Sequence, residues 1–134
     1  MKITAVKGIG LRCACEPIHD ALSTSRARQA LLVAVETDAG LCGVGEAFTY
    51  GAPLAAARAV VEQQLAPRLV GRDPLQISEA WDAMHWGTLA SGRRGITLGA
   101  VSGVDIALWD LRGKAEHKPV SALLGGVRDR IPSY

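Results

Sequence analysis

Only six aromatic side chains occur in 134 residues: three Trp, two Tyr and one Phe. Hydrophobic residues nevertheless make up 49% of the chain, so its apolar content is mostly Ala, Val, Leu and Ile. An Ala-rich chain poor in aromatics favours closely packed helices over a β-sandwich. An excess of either charge is also missing. Fifteen Lys and Arg stand against thirteen Asp and Glu, a net charge of +2. The basic residues fall in short groups, Arg93-Arg94, Arg112 with Lys114, and Arg128 with Arg130, which join into no basic stripe. Nucleic acid and membrane surfaces are therefore not expected partners. No apolar run approaches the roughly 18 residues of a membrane span. The N-terminal Met1-Lys2-Ile3-Thr4 lacks the continuous apolar stretch of a signal peptide. Cysteine is scarce and odd in number: Cys13, Cys15 and Cys42. Cys13 and Cys15 would share one strand face and are poorly placed to bond each other. Four Cys/His ligands at zinc spacing are absent too. A cytoplasmic protein with small buried thiols is the expectation.

The length suits one domain, able to bury a core without staples. It is too short for a (β/α)8 barrel, which takes roughly 250 residues. The first half reads as strands. Residues 2–15 alternate, with Ile3, Ala5, Ile9, Leu11, Cys13 and Cys15 in one phase. Lys7 breaks that phase, and a bulge is expected near Gly8 and Gly10. Residues 16–29 are polar without a period, which predicts a loop. Leu31–Thr37 is an apolar, β-branched run, and Asp38-Ala39-Gly40 suits a tight return into a strand over Leu41–Ala47. The second half reads as helices. Leu54, Ala57, Val61 and Leu65 predict one helix ending at Pro67. Asp73 and Pro74 predict the N-cap and first turn of a second, running to about Trp86. Ile96, Ala100, Val104, Leu108, Leu111 and Ala115 form the apolar stripe of a third. Pro119 opens a short fourth helix that Gly125-Gly126 ends. The layout is α+β: a three-stranded antiparallel meander followed by a helical bundle.

One segment carries a more specific pattern. Residues 100–125 place Ala100, Ser102, Gly103, Asp105, Ala107, Asp110, Gly113, Lys114, Pro119, Leu123, Leu124 and Gly125 at unbroken spacing. This pattern resembles the N-terminal signature of the mandelate racemase/muconate lactonizing enzyme family of the enolase superfamily. Met1-Lys2-Ile3, Gly45-Glu46-Ala47 and Gly71-Arg72-Asp73-Pro74 agree with it in order. The resemblance spans essentially the whole chain. Small residues at 99, 100, 102, 103 and 107 allow close helix packing. Asp105 lies among apolar neighbours and needs a partner if buried. Asp110 and Lys114 are spaced to pair, or to bond segments outside this chain. These signature residues are read as scaffold, not as chemistry.

The resemblance implies an enolase N-terminal domain-like fold. It places a capping domain over residues 1–126 and, over residues 127–134, the start of a barrel whose remainder the chain lacks. Family members abstract the proton α to a carboxylate and hold the resulting enediolate on Mg²⁺. Metal offsets the charge that develops on the carboxylate oxygens. The base and the metal ligands lie on the barrel, so neither catalytic nor metal-binding residues are assigned here. The implied role of the capping domain is substrate selection by two lid loops, residues 16–29 and 48–53. His19, Asp20, Ser23, Thr24, Ser25, Arg26 and Arg28 make the first polar and cationic; Phe48, Thr49 and Tyr50 form the second. His19, Arg26 and Tyr50 are the candidate substrate-binding residues. A polar lid suits a sugar acid, and thus an acid-sugar dehydratase. A racemase or cycloisomerase of the same family is the alternative, as is a stand-alone binding or assembly domain. The other expected partners are the barrel domain itself and further copies of the chain. The isolated chain is expected to be inactive. Gly92-Arg93-Arg94-Gly95 reads as a surface turn that could instead steer anions. His85 and His117 read as surface or packing residues, and Trp81, Trp86 and Trp109 as core or interface aromatics.

Overall fold

The computed structural model describes every residue except Asp20, Leu22, Ser23, Tyr50, Asp129 and Tyr134. Three strands, β1 (Ile3–His19), β2 (Thr24–Thr37) and β3 (Cys42–Ala47), form an antiparallel sheet in the order β1-β2-β3. The helices pack on one face of it. A continuous helical rod runs through α1 (Leu54–Ala59), a π-helical stretch (Val60–Leu65) and α2 (Ala66–Leu69). It is followed by α3 (Ile77–Gly87), the 21-residue α4 (Ile96–Glu116) and α5 (Val120–Leu123). The core lies between the layers. Ile3, Val6, Leu31, Val33 and Val35 of the sheet meet Ala57, Val61, Leu65, Met84, Val104 and Leu108 of the helices. This is the α+β meander and bundle expected from the sequence.

Several local expectations are corrected. β1 is irregular between Ile3 and Ala5 and again between Ala14 and Ile18, not near Gly8 and Gly10. The first irregularity reverses the strand's phase, because side chains alternate with period two. Ile3, Val6 and Gly8 therefore face the helices, while Ala5, Ile9, Leu11 and Cys13 point to the open face. Ile9 and Leu11 are each 47% exposed. Gly8 and Gly10 are small because the first helix crosses there: a Cβ on Gly8 would lie 3.0 Å from Arg58 Cγ, and one on Gly10 3.5 Å from Leu54 Cδ1. The polar segment 16–29 is not a loop. Most of it extends the β1–β2 hairpin, with Arg12 opposite Gln29 and His19 opposite Thr24. Hydrogen bonding across the ladder needs no apolar period, so composition misled here.

Pro67 does not end its helix. The rod continues to Leu69 with Pro67 inside its last turn. Proline has no N–H and its ring crowds the carbonyl four residues back. The preceding turns widen to π geometry, where the Ala66 N–H bonds the Val61 carbonyl. Arg68 also donates from its guanidinium to the Gln64 carbonyl. Asp73 is not an N-cap either. Its Oδ1 accepts the Leu75 N–H at 3.0 Å in a turn, and α3 begins later, at Ile77, without a side-chain cap.

Both edges of the sheet are clasped by helix carboxylates. Glu62 accepts the Gly8 N–H at 3.2 Å and Arg58 Nε at 2.9 Å. The Arg58 hydrogen bond is the main reason its carboxyl sits below the usual carboxylate range. At the other edge Asp110 Oδ2 accepts the Val44 N–H at 2.8 Å. Lys114 Nζ bridges Asp110 and the Cys42 carbonyl, at 2.7 and 2.8 Å. An edge strand exposes unpaired donors and acceptors, and these contacts occupy some of them. Asp110 and Lys114 thus pair with each other and bond β3. Backbone rides on backbone beneath this clasp. A Cβ on Gly45 would collide with the Gly103 carbonyl of α4, and one on Gly103 would lie 2.8 Å from Ala47 Cα.

Candidate functional site

Antiparallel pairing brings the C-terminal ends of β1 and β3 to the same end of the sheet. Ala47 lies opposite Leu31, and Leu31 opposite Gly10. Beyond that level β1 and β2 continue alone as a hairpin arm. Its residues are almost all exposed, Ala27 being buried. Alternation along β2 puts Thr24, Arg26 and Arg28 on one face of the arm. Cys13 stands opposite Arg28 and His19 opposite Thr24, so both join that face. His19 Nδ1 lies 3.0 Å from Thr24 Oγ1, which orients the imidazole.

The segment after β3 sits at the base of the arm. Phe48 is 69% exposed, and a Cβ on Gly99 would strike its carbonyl. The first turn of α4 is therefore at this end of the domain. The exposed loop Gly92-Arg93-Arg94-Gly95 leads into it, with Gly92 and Gly95 at φ 126° and 65°. Two sequence candidates, His19 and Arg26, share one face of one element. Tyr50, Asp20 and Ser23 lie outside the described residues. Arg93 and Arg94 form a surface turn, as their composition suggests, and the fold places that turn at the same end as the arm. No spacing in the sequence could show that, because the arm and the turn are more than sixty residues apart.

The arm and the turn are two exposed elements rich in Arg at the same end of the domain. Guanidinium groups of this kind can pair with carboxylates and donate to hydroxyls. Among the described residues no group of three or more His, Cys, Asp or Glu side chains could hold a metal ion. The described residues do not fit a Mg²⁺ site. No described helix is long and apolar enough to cross a membrane.

The signature residues of α4 divide by face. Gly99, Ala100, Gly103 and Ala107 are buried against the sheet and core. Ser102 is exposed and so does not serve close packing. Asp105 is partly buried, and among the described residues no hydrogen bond or ion pair reaches it. Burial alone pushes its carboxyl above the usual range. His117 takes the left-handed position that ends α4, and α5 follows from Pro119 to a left-handed Gly125.

Comparison with known proteins agrees with this architecture. Residues 4–125 match the family model described as mandelate racemase / muconate lactonizing enzyme, N-terminal domain. A D-galactonate dehydratase family member from Streptomyces bingchenggensis is 44% identical over 86% of this chain and 28% of its own. The D-galactonate dehydratase of Verminephrobacter eiseniae is 43% identical over 78% of this chain and 27% of its own. Among solved structures, a member of the enolase superfamily from Polaromonas sp. JS666 matches at TM-score 0.91 and 36% identity, covering all of this chain and 36% of that one. L-talarate dehydratase from the same organism, complexed with Mg and L-glucarate, matches at TM-score 0.84 and 30% identity over 96% of this chain and 36% of that one. The chain spans between a quarter and two fifths of these proteins' lengths. Meander, bundle, signature helix and relatives together make this chain a member of the mandelate racemase/muconate lactonizing enzyme family, corresponding to its N-terminal domain.

Proposed function

We propose that this chain is the capping domain of a Mg²⁺-dependent enzyme that removes the proton α to the carboxylate of a sugar acid and expels water. The hairpin arm carries the reading. It is a polar, cationic element that projects past the helices and contributes little to the core, and it presents His19, Arg26 and Arg28 on one face. A guanidinium pairs bidentately with a carboxylate and also donates to hydroxyls, which suits a polyhydroxylated acid. Tyr50 belongs to the second lid of this proposal. The named dehydratases among the relatives favour elimination of water over racemisation or cycloisomerisation. Residues 1–126 form the cap and residues 127–134 lead into the barrel. Mg²⁺, where it acts, supplies electrostatic stabilisation of the substrate carboxylate. Its ligands and the base belong to the remainder of the enzyme, and the isolated chain does not turn over.

The test is a domain exchange. Residues 1–126 replace the matched segment of the Verminephrobacter D-galactonate dehydratase, and Mg²⁺-dependent water loss is followed over a panel of sugar acids. Turnover with at least one acid is expected, falling at least tenfold in kcat/KM in the Arg26→Ala, Arg28→Ala double variant. A folded exchange protein that acts on none of the panel contradicts the proposal.

A further inference from the structure

The domain covers the outer edge of β1 only part way. Glu62 takes the Gly8 N–H at 3.2 Å, and Leu54, at the start of α1, lies against Gly10. Beyond Gly10, Leu11, Arg12, Cys13, Ala14 and Glu16 are exposed and Cys15 is half-buried. β1 is the first strand of the sheet, so its side away from β2 is an edge. Alternation fixes which backbone groups that edge offers. The Gly8 N–H points away from β2, to Glu62, and the pairing with β2 runs unbroken from Ala5 to Ala14. Gly10, Arg12 and Ala14 therefore point the same way. Among the described residues no helix or loop backbone bonds them. An edge strand left open pairs with another strand unless charge or geometry prevents it.

The charges along this edge are complementary to themselves. Two copies of β1 paired antiparallel about a two-fold axis through Ala14 set Arg12 of each copy opposite Glu16 of the other, and Cys13 opposite Cys15. Opposite charges directly across a strand pair stabilise it, and like charges oppose it. Among the described residues neither Arg12 nor Glu16 makes a hydrogen bond or ion pair within the chain. β1 stays extended through Glu16, and Pro17 lies in the irregular stretch between Ala14 and Ile18, where it removes no bond to β2. The arm's other edge has the contrary pattern. β3 ends opposite Leu31, so β2 is an edge from Thr24 to Ala30, and pairing it about Ala27 would set Arg26 against Arg28 twice.

We propose that β1 pairs edge to edge with β1 of a second copy of this chain, antiparallel about Ala14, with two Arg12–Glu16 ion pairs fixing the register. The two arms then form one four-stranded ribbon in the order β2-β1-β1-β2, closed by its own two-fold axis. Pairing of this kind lies in the plane of the sheet, so the face bearing Arg26 and Arg28 stays uncovered in each copy. Arg12 alternates with Cys13, and the ion pairs form on the opposite face. Outward backbone at Arg12 and Ala14 makes Cys13 and its opposite Cys15 a pair of the non-hydrogen-bonded kind. Their Cα atoms then lie about 4.5 Å apart, inside the roughly 4.4–6.8 Å span of a disulfide. Two cysteines poorly placed to bond within one chain are thus adjacent across the axis, which gives the register a chemical readout.

The test uses the intact 134-residue chain in sedimentation velocity. A dimer is expected. Arg12→Glu and Glu16→Arg should each weaken it at least tenfold, because either change sets like charges opposite each other at both sites. An equimolar mixture of the two variants should associate as the parent chain does, since every facing pair is again of opposite sign. Misfolding of either variant would not produce that rescue. Val44→Gln, on the open sheet face away from the arm, should change association by less than twofold. A chain that stays monomeric overturns the proposal. So does a dimer that both charge reversals leave intact, or a mixture no tighter than its components. Cross-linking reads the register separately. Two Cys42→Ser chains are prepared, one also carrying Cys13→Ser and the other Cys15→Ser. Diamide, which takes two electrons and two protons from a pair of thiols, should link the mixture and neither chain to itself. No link in the mixture, or equal linkage of either chain to itself, overturns pairing about Ala14. Neither readout depends on activity, so the capping-domain proposal stands or falls apart from it.

Discussion

Asp110 and Glu62 show how single carboxylates tie the layers together. Each takes a backbone N–H from an edge strand and a cation one turn away on its own helix. Asp110→Ala removes the acceptor of the Val44 N–H and should cost about 1 kcal/mol in urea unfolding. Glu62, held below the usual carboxylate range chiefly by Arg58, stabilises the fold above its unfolded pKa. That contribution disappears as pH falls through its folded pKa. Glu62→Gln should flatten the acid limb of a stability-versus-pH curve, and an unchanged limb would contradict the role. Asp105 has the opposite sign. Its carboxyl is raised by burial, so its contribution is complete below the unfolded pKa and lost as pH rises through the folded value. Asp105→Asn should therefore raise Tm at pH 7 and leave it unchanged near pH 3; a lower Tm at pH 7 would count against this account. The pairing of Asp110 with Lys114 could be seen in their spacing. Their shared grip on β3 could not, because it joins residues 66 and 72 positions apart.

At the scale of elements, α4 was fully legible. A stripe at spacing three and four over twenty residues has one geometric solution. The sheet's strand order was legible too, since a short Asp/Gly turn permits little besides a hairpin. The inward face of β1 was not. One bulge between Ile3 and Ala5 exchanges its two faces, and nothing in the alternation marks where it falls. Pro67 misled for a similar reason: the rod absorbs it by widening the turn before it instead of ending. The arm was mistaken for a loop because its strands are held by ladder bonds with almost no core beneath them. That independence is testable. Replacing residues 13–28 with Asn-Gly, a favoured two-residue turn, joins Arg12 directly to its partner Gln29. Thermal unfolding should shift by only a few degrees, about what 1 kcal/mol produces in a domain of this size. A loss of cooperative unfolding would show that the arm is structural.

The whole molecule is a scaffold with two dissimilar outward surfaces. At one end of the sheet lie the exposed polar and cationic groups of the arm and of the Arg93-Arg94 turn. Along α4 and α3, Leu98, Trp86 and Trp81 present exposed apolar surface. The family was legible because its signature is local, packed into residues 100–125. The placement of His19, Arg26 and Arg93 at one end of the domain was not, because antiparallel topology, not sequence distance, brings their elements there. The central claim is that the arm selects the substrate. The most direct measurement is the ratio of kcat/KM values over a sugar-acid panel for the domain-exchange enzyme, with the arm intact and with residues 13–28 replaced by Asn-Gly. The account predicts that the ratios collapse toward one another when the arm is removed, with Mg²⁺-dependent turnover persisting. Ratios unchanged by loss of the arm would contradict it.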